Sequence, residues 1–216
     1  MKTIITPLGF DTTQIVTLIN EVKVEKGDRV VIIRPNESTE EKRGDRAYST
    51  TKELLNNIST EITIEKIVLD TRNFQNMILE LSNIIETAED KIVVNLSGGV
   101  RSILVALTTA AIFHHDKIDR ICNYGRIGNY MREIELPYVK IDLTENENTL
   151  LHTVKKQGPI TYNELVKELG FSKSTVSRLS NILEDKSLVK INEKGKEKEV
   201  EISLTGRLVN LNDYDD

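Results

Sequence analysis

The sequence predicts an α/β fold with a mostly parallel sheet in its first two-thirds, followed by a small helical domain closed by a β-hairpin. Three observations carry that expectation. Short apolar runs such as Ile92, Val93, Val94 and Leu96 alternate with longer stretches of helical period, which implies β-α-β units and strands buried on both faces. The glycines of Ser97-Gly98-Gly99 stand between one such run and an apolar helix carrying Ile103, Leu104, Ala106, Leu107 and Ala110. Beyond Pro137 and the polar stretch Thr144-Glu145-Asn146-Glu147 the alternation stops, placing a seam between domains at 1–141 and 142–216.

In chain order, strands are expected at 3–6, 29–33, 66–70, 91–96 and 120–124, with helices at 12–24, 50–58, 73–88 and 101–115 between them. Asp11 with Gln14, and Thr50 with Glu53, have the spacing of reciprocal helix caps. The segment from Asn36 to Arg46 is charged, contains Gly44 and is expected as a mobile loop over the ligand face. Phe74, Met77, Ile78, Leu81 and Ile85 recur at helical spacing and form a core stripe. After Cys122, the stretch Tyr124-Gly125-Arg126-Ile127-Gly128-Asn129 and the alternating Tyr130, Arg132, Ile134 and Leu136 suit a hairpin at the sheet edge.

A sheet of this kind in the order 3-2-1-4-5-6 reverses between strands 1 and 4, and ligands lie outside the carboxyl ends of the strands at that switch. Those ends are Thr6-Pro7-Leu8-Gly9-Phe10 and Asn95-Leu96-Ser97-Gly98-Gly99-Val100-Arg101. Both contain glycine and both run into helix N-termini, whose N–H groups and dipole favour an anion. Arg101 stands in a first turn, where a cation opposes the dipole, so an anionic partner explains it better than helix stability does. The chain has no GxGxxG, so a nucleotide without bound metal is expected rather than a dinucleotide redox cofactor.

In the last third, Leu150, Leu151 and Val154 make a helical stripe that begins at a capping box, Thr144 with Glu147, and ends at Gly158-Pro159. Thr161 with Glu164 caps a second helix bearing Leu165, Val166 and Leu169, and Gly170 ends it. Ser172 caps a third, whose apolar face is Val176, Leu179, Ile182 and Leu183. Its start gathers Ser172, Lys173, Ser174, Thr175, Ser177 and Arg178, side chains suited to base edges and phosphates when a helix start enters a major groove. Two β-like runs at 188–191 and 199–204 flank a glycine-centred tip with Lys194, Lys196 and Lys198. Three helices and a basic β-hairpin in that order make a winged helix-turn-helix. The stretch ITYNELVKELGFSKSTVSRLSNILEDKSLV resembles the helix-turn-helix of MarR- and ArsR-type transcription regulators, over about residues 145–211.

The net charge of −5 over 216 residues looks wrong for a nucleic-acid binder, but residues 155–198 hold ten basic and six acidic side chains. The tail with Asp213, Asp215 and Asp216 is read as solvated. No apolar run approaches the roughly 18 residues of a membrane span, and the chain begins with a strand-like TIIT rather than a signal peptide. A single cysteine, Cys122, forms no internal disulfide and suits a reducing cytoplasm. His114 and His115 end a helix without partners at metal spacing, so no metal is expected.

The TPLGFD turn after the first strand, the NLSGGVRS turn after the fourth and the winged helix-turn-helix behind them together resemble the CRISPR-associated Rossmann-fold (CARF) transcription regulators. The resemblance implies a Rossmann-like sheet and a homodimer that binds one cyclic oligoadenylate, commonly cyclic tetra-adenylate, across its two-fold axis. It also implies that the C-terminal halves grip double-stranded DNA at a CRISPR leader or cas promoter. By position, Leu8, Gly9 and Phe10 would line the ligand from one loop, and Ser97, Gly98, Gly99 and Arg101 from the other, with Pro7, Asn95, Leu96 and Val100 completing the two. Arg34 and Asp70-Thr71, at the ends of strands 2 and 3, are further candidates. Two rival classes remain. Some CARF proteins cleave their cyclic ligand by attack of a ribose 2′-OH, for which Ser97, Thr71 and Arg101 would be recruited. Neither loop holds a His-Glu or Lys pair for acid–base work, so no catalytic residue is expected. The other rival is a MarR- or ArsR-like regulator sensing another nucleotide or a phosphorylated metabolite.

Overall fold

The apolar runs Lys2–Pro7, Arg29–Pro35 and Lys91–Asn95 are buried on both faces at the centre of a parallel sheet, and the more polar Thr63–Leu69 and Ile118–Gly125 flank them as parallel strands. The computed structural model describes residues 1–36, 41–125, 130–137, 139, 141–195 and 197–209. It divides into two units, Met1–Val139 and Lys140–Asp216. The first unit runs β1 (Lys2–Pro7), α1 (Thr13–Val22), β2 (Arg29–Pro35), α2 (Glu41–Ile58), β3 (Thr63–Leu69), α3 (Phe74–Glu86), β4 (Lys91–Asn95), α4 (Arg101–Phe113), β5 (Ile118–Gly125) and β6 (Tyr130–Glu133). Its sheet order is β3-β2-β1-β4-β5-β6, as the sequence leads one to expect, with β5 and β6 antiparallel.

Alternation sets the two faces. Ile4, Val30, Ile32 and Val93 join Ile15 and Leu18 of α1 and Leu55 of α2 in one buried cluster. Ile5, Val31, Ile33 and Val94 are also buried and point the opposite way, towards the side carrying α3 and α4. Each fully buried Ile or Leu is worth roughly 1.5–3 kcal/mol relative to exposure, so the paired cores fix the register. β1 pairs with β2 on one side and β4 on the other, which places the switch between β1 and β4.

Two local expectations are corrected. The charged stretch up to Arg46 is not all loop: α2 starts at Glu41. Residues 37–40 lie outside the described residues. Ala47, Thr51 and Leu55 are buried one turn apart, and this tertiary stripe overrides Gly44 and the local charge. Thr50 therefore sits in mid-helix and makes no capping box with Glu53. Asp11 and Gln14 form no box either: the cap residue of α1 is Thr12, and Asp11 Oδ1 instead accepts from the N–H and hydroxyl of Thr13, at 2.9 and 2.7 Å. In the expected edge hairpin, Arg126, Ile127, Gly128 and Asn129 lie outside the described residues.

The second unit runs α5 (Glu145–Gln157), β7 (Ile160–Thr161), α6 (Tyr162–Leu169), α7 (Lys173–Asp185), β8 (Val189–Lys194), β9 (Glu197–Ile202) and α8 (Leu204–Leu208). Both capping boxes form, Thr144 with Glu147 and Thr161 with Glu164, and Gly170 closes α6 in the left-handed region at φ 67°. Leu150, Leu151, Leu165, Val176, Leu179 and Leu183 meet Val189 and Val200 in one core. β7-β9-β8 form a small antiparallel sheet. The sequence reading missed β7, two residues long, and α8, five residues long, since neither is long enough to show a period.

Glu147 does double duty. Its carboxylate accepts from the Thr144 N–H at 3.1 Å and from Lys186 Nζ at 2.7 Å, tying α5 to the end of α7. Burial alone would raise its pKa, but the Lys186 ammonium and the Thr144 N–H outweigh that and hold the carboxyl below its ordinary range. Among the described residues no helix is long and apolar enough to cross a membrane.

Candidate ligand cleft and nucleic-acid interface

At the carboxyl ends of β1 and β4 lies a cleft of about 1200 Å³. The loop after β1 is anchored by the Leu8 N–H, which donates to the Ile33 carbonyl at 2.9 Å. The loop after β4 is anchored by Ser97, whose Oγ accepts from the Tyr124 N–H at 2.6 Å, and by the Asn123 Nδ2, which donates to the Leu96 carbonyl at 2.9 Å. The two loops touch through glycine. A Cβ on Gly9 would stand 3.1 Å from the Gly99 nitrogen, and one on Gly99 would stand 2.9 Å from Pro7 Cβ. Gly98 and Gly99 both take positive φ, 80° and 66°, which L side chains rarely adopt.

α4 begins directly after this turn. Its cap residue is Val100, which offers no side-chain bond, so the first N–H groups of the helix face the turn without a capping partner. Positive charge comes from β2: Arg34 lines the cleft, is 6% exposed and pairs with Asp45 of α2 at 2.5 Å. That hydrogen bond holds the Asp45 carboxyl below its ordinary range. Arg43 lies over the Phe10 ring, 4.7 Å from its centroid. The arrangement offers backbone donors, one buried cation and an aromatic face, a chemistry that fits phosphates and a stacked base.

In the second unit, the start of α7 stands out from the core. Ser172 caps it by accepting from the Thr175 N–H at 3.2 Å, and its hydroxyl also meets those of Ser174 and Thr175 at 2.9 and 2.8 Å. Lys173, Ser174 and Arg178 are exposed, while Thr175 and Ser177 are half-buried. Gly195 turns the hairpin at φ 66°. In the hairpin register Lys198 faces Glu193 and Lys194 faces Glu197, so acids stand opposite its cations. Glu197 also accepts from Asn163 of α6. Lys196 lies outside the described residues, and so does the side chain of Lys194.

Residues 2–122 match the Csa3 CRISPR-associated Rossmann-like domain. The chain belongs to that family. Residues 143–191 of this Csa3-family chain match the MarR family, and the second unit is a MarR-type winged helix domain. No curated protein matches the sequence. Enterococcus italicus Csm6, solved bound to cyclic hexa-2′-fluoro-hexa-dAMP, is similar at TM-score 0.50 and 13% identity, over 87% of this chain and 55% of its own. Can2 from Sulfobacillus thermosulfidooxidans, solved with cyclic tetra-adenylate, matches at TM-score 0.42 and 13% identity, over 96% and 62%. Bordetella bronchiseptica BpsR, described with regulation of its DNA binding by 6-hydroxynicotinic acid, matches at TM-score 0.29 and 21% identity, over 31% and 48%. The Csa3-family chain thus spans about half the length of BpsR and of Csm6.

The expected site residues of the Csa3-family chain divide in the structure. Leu8, Gly9, Phe10, Arg34, Thr71, Leu96, Ser97, Gly98, Gly99 and Val100 line the cleft. Pro7, Asn95 and Arg101 do not. Pro7 is buried beneath Gly99, and Asn95 is buried with its Nδ2 donating to Thr6 Oγ1 at 2.9 Å, a latch between β4 and β1. Arg101 is exposed, off the cleft wall. Asp70 is turned to Arg72 at 3.0 Å. Sequence reading missed Gln14, Asn36, Gly44, Leu104, Asn123 and Tyr124, which also line the cleft. Asn123 and Tyr124 lie near the carboxyl end of β5, the strand next to β4, so strand order could have found them. Among the described residues no group of His, Cys, Asp and Glu could hold a metal ion. Cys122 is buried in the sheet core, and burial pushes its thiol pKa up.

Proposed function

We propose that this chain is a ligand-responsive transcription regulator of CRISPR/cas loci. Two copies bring their clefts together across a two-fold axis and share one cyclic oligoadenylate, to which we assign the tetra-adenylate ring. The second unit binds double-stranded DNA at the CRISPR leader or cas promoter, with Lys173, Ser174 and Arg178 of α7 presented to the major groove and the β8–β9 hairpin to the backbone. The protein works in the cytoplasm, and needs neither metal nor cofactor.

The observation that carries this reading is the contact of the two glycine loops at the sheet switch, opening a cleft of about 1200 Å³ beside an uncapped helix start and a buried arginine. An anion carrying both phosphates and bases fits a cleft of that volume and lining better than a small phosphorylated metabolite, which would fill little of it. The cyclic hexa-adenylate analogue bound to Csm6 supports the same ligand class. We assign no catalytic residue. Ser97 Oγ is engaged by the Tyr124 N–H and Arg101 stands off the cleft wall, which leaves the expected phosphoryl-transfer groups poorly placed.

Gel-shift titration of leader and cas promoter DNA, with and without saturating cyclic tetra-adenylate, tests the proposal. Ligand is expected to change DNA affinity by about fivefold or more, the ordinary scale of allosteric coupling. Equal affinity for both DNAs in the two conditions contradicts it.

A further inference from the structure

Gln14 has no task in the helix it begins. Its spacing from Asp11 suits a capping box, yet Asp11 is occupied by Thr13 and the box does not form. The side chain lies on the buried face of α1, one turn before Leu18 and two before Val22, where an amphipathic helix ordinarily carries an apolar residue. Gln14 is 6% exposed, lines the cleft, and makes no hydrogen bond to any described residue. Its amide rests against Gly98, where any Cβ would overlap it. The amide therefore opens onto the cleft with its donor and acceptor uncommitted to any described residue, where a bound group can meet them.

A carboxamide carries an acceptor and a donor side by side. Adenine presents the complement: an amino donor next to a ring-nitrogen acceptor. We infer that Gln14 reads the base of the bound nucleotide, accepting from the adenine amino group at Oε1 and donating from Nε2 to the neighbouring ring nitrogen. Phosphates are held by backbone N–H groups and Arg34, while Gln14 supplies base identity. This role rests on the nucleotide reading of the cleft given above. The glycine at position 98 then serves two ends, a left-handed turn and the space into which the amide fits.

Equilibrium binding to the full chain separates the two ideas. The probes are cyclic tetra-adenylate and the same ring built from purine riboside, which lacks only the amino group. The wild-type chain is expected to favour the adenylate ring by about tenfold or more, the scale of one well-placed hydrogen bond per subunit. In Gln14→Met, and equally in Gln14→Leu, the preference falls to near one while the unliganded chain melts no lower, because no hydrogen bond to a described residue is lost and an apolar side chain suits the buried face of α1. A structural role would weaken both rings alike and leave their ratio intact. A preference near one in the wild type, or one that survives both substitutions, overturns the role of Gln14 alone. Failure of the wild type to bind either ring overturns the nucleotide reading and this role with it.

Discussion

Gly98→Ala is expected to weaken cyclic tetra-adenylate binding by about a hundredfold while the chain still folds. The native φ of 80° is one a non-glycine residue holds only at a cost of roughly 1–2 kcal/mol, which a thermal melt should register. The added methyl also overlaps the Gln14 amide. Relief comes either by expelling Gln14 or by turning the loop out of the left-handed region, and each removes ligand contacts. A lost bidentate base contact is worth about 1–3 kcal/mol and a lost N–H to an anion about 1.5–3, which together make a hundredfold loss a conservative expectation. Gly195→Ala is the control, because its φ is 66° and nothing stands within 4 Å of its Cβ. That variant bears the same backbone strain in the second unit and should bind ligand like the wild type. Calorimetric titration decides between them, and a Gly98→Ala affinity within threefold of wild type counts against the cleft assignment.

The largest effect on DNA is expected from Arg178→Ala. This cation is exposed on α7 and takes part in no hydrogen bond or ion pair with a described residue, so its donors are available to DNA. Its loss should weaken operator binding by about tenfold and make the salt dependence shallower by about one unit of slope. Lys198→Ala should do less, since Glu193 faces Lys198 across the hairpin and already offsets its charge. Gel shifts over a salt series test the ranking. Equal effects of the two substitutions would contradict the ranking, and a larger effect of Lys198→Ala would mean that the hairpin, not the helix start, supplies the grip.

The parallel sheet was legible because apolar runs alternate with helical stretches, and the doubly wound order of such β-α units puts the switch between β1 and β4. The caps of α5, α6 and α7 were legible because a Thr or Ser with its partner three residues on is a local signal. What escaped was tertiary. The first turns of α2 carry Gly44 and strong charge, and only packing of Ala47, Thr51 and Leu55 against the core makes them helical. Gln14 satisfied a capping pattern on paper, and only the approach of Gly98 from another β-α unit turned it into part of the cleft wall. The clue lay in the sequence nonetheless, as a glutamine in the stripe of Leu18 and Val22. Arg101 misled for the converse reason: its place in the first turn of α4 was legible, but not the direction that turn faces.

One titration tests the central claim most directly, the calorimetric stoichiometry of cyclic tetra-adenylate on the 216-residue chain. Tight binding of one ring for every two chains is the result predicted for clefts that join across a dimer. Absence of binding, or one ring for each chain, would contradict it.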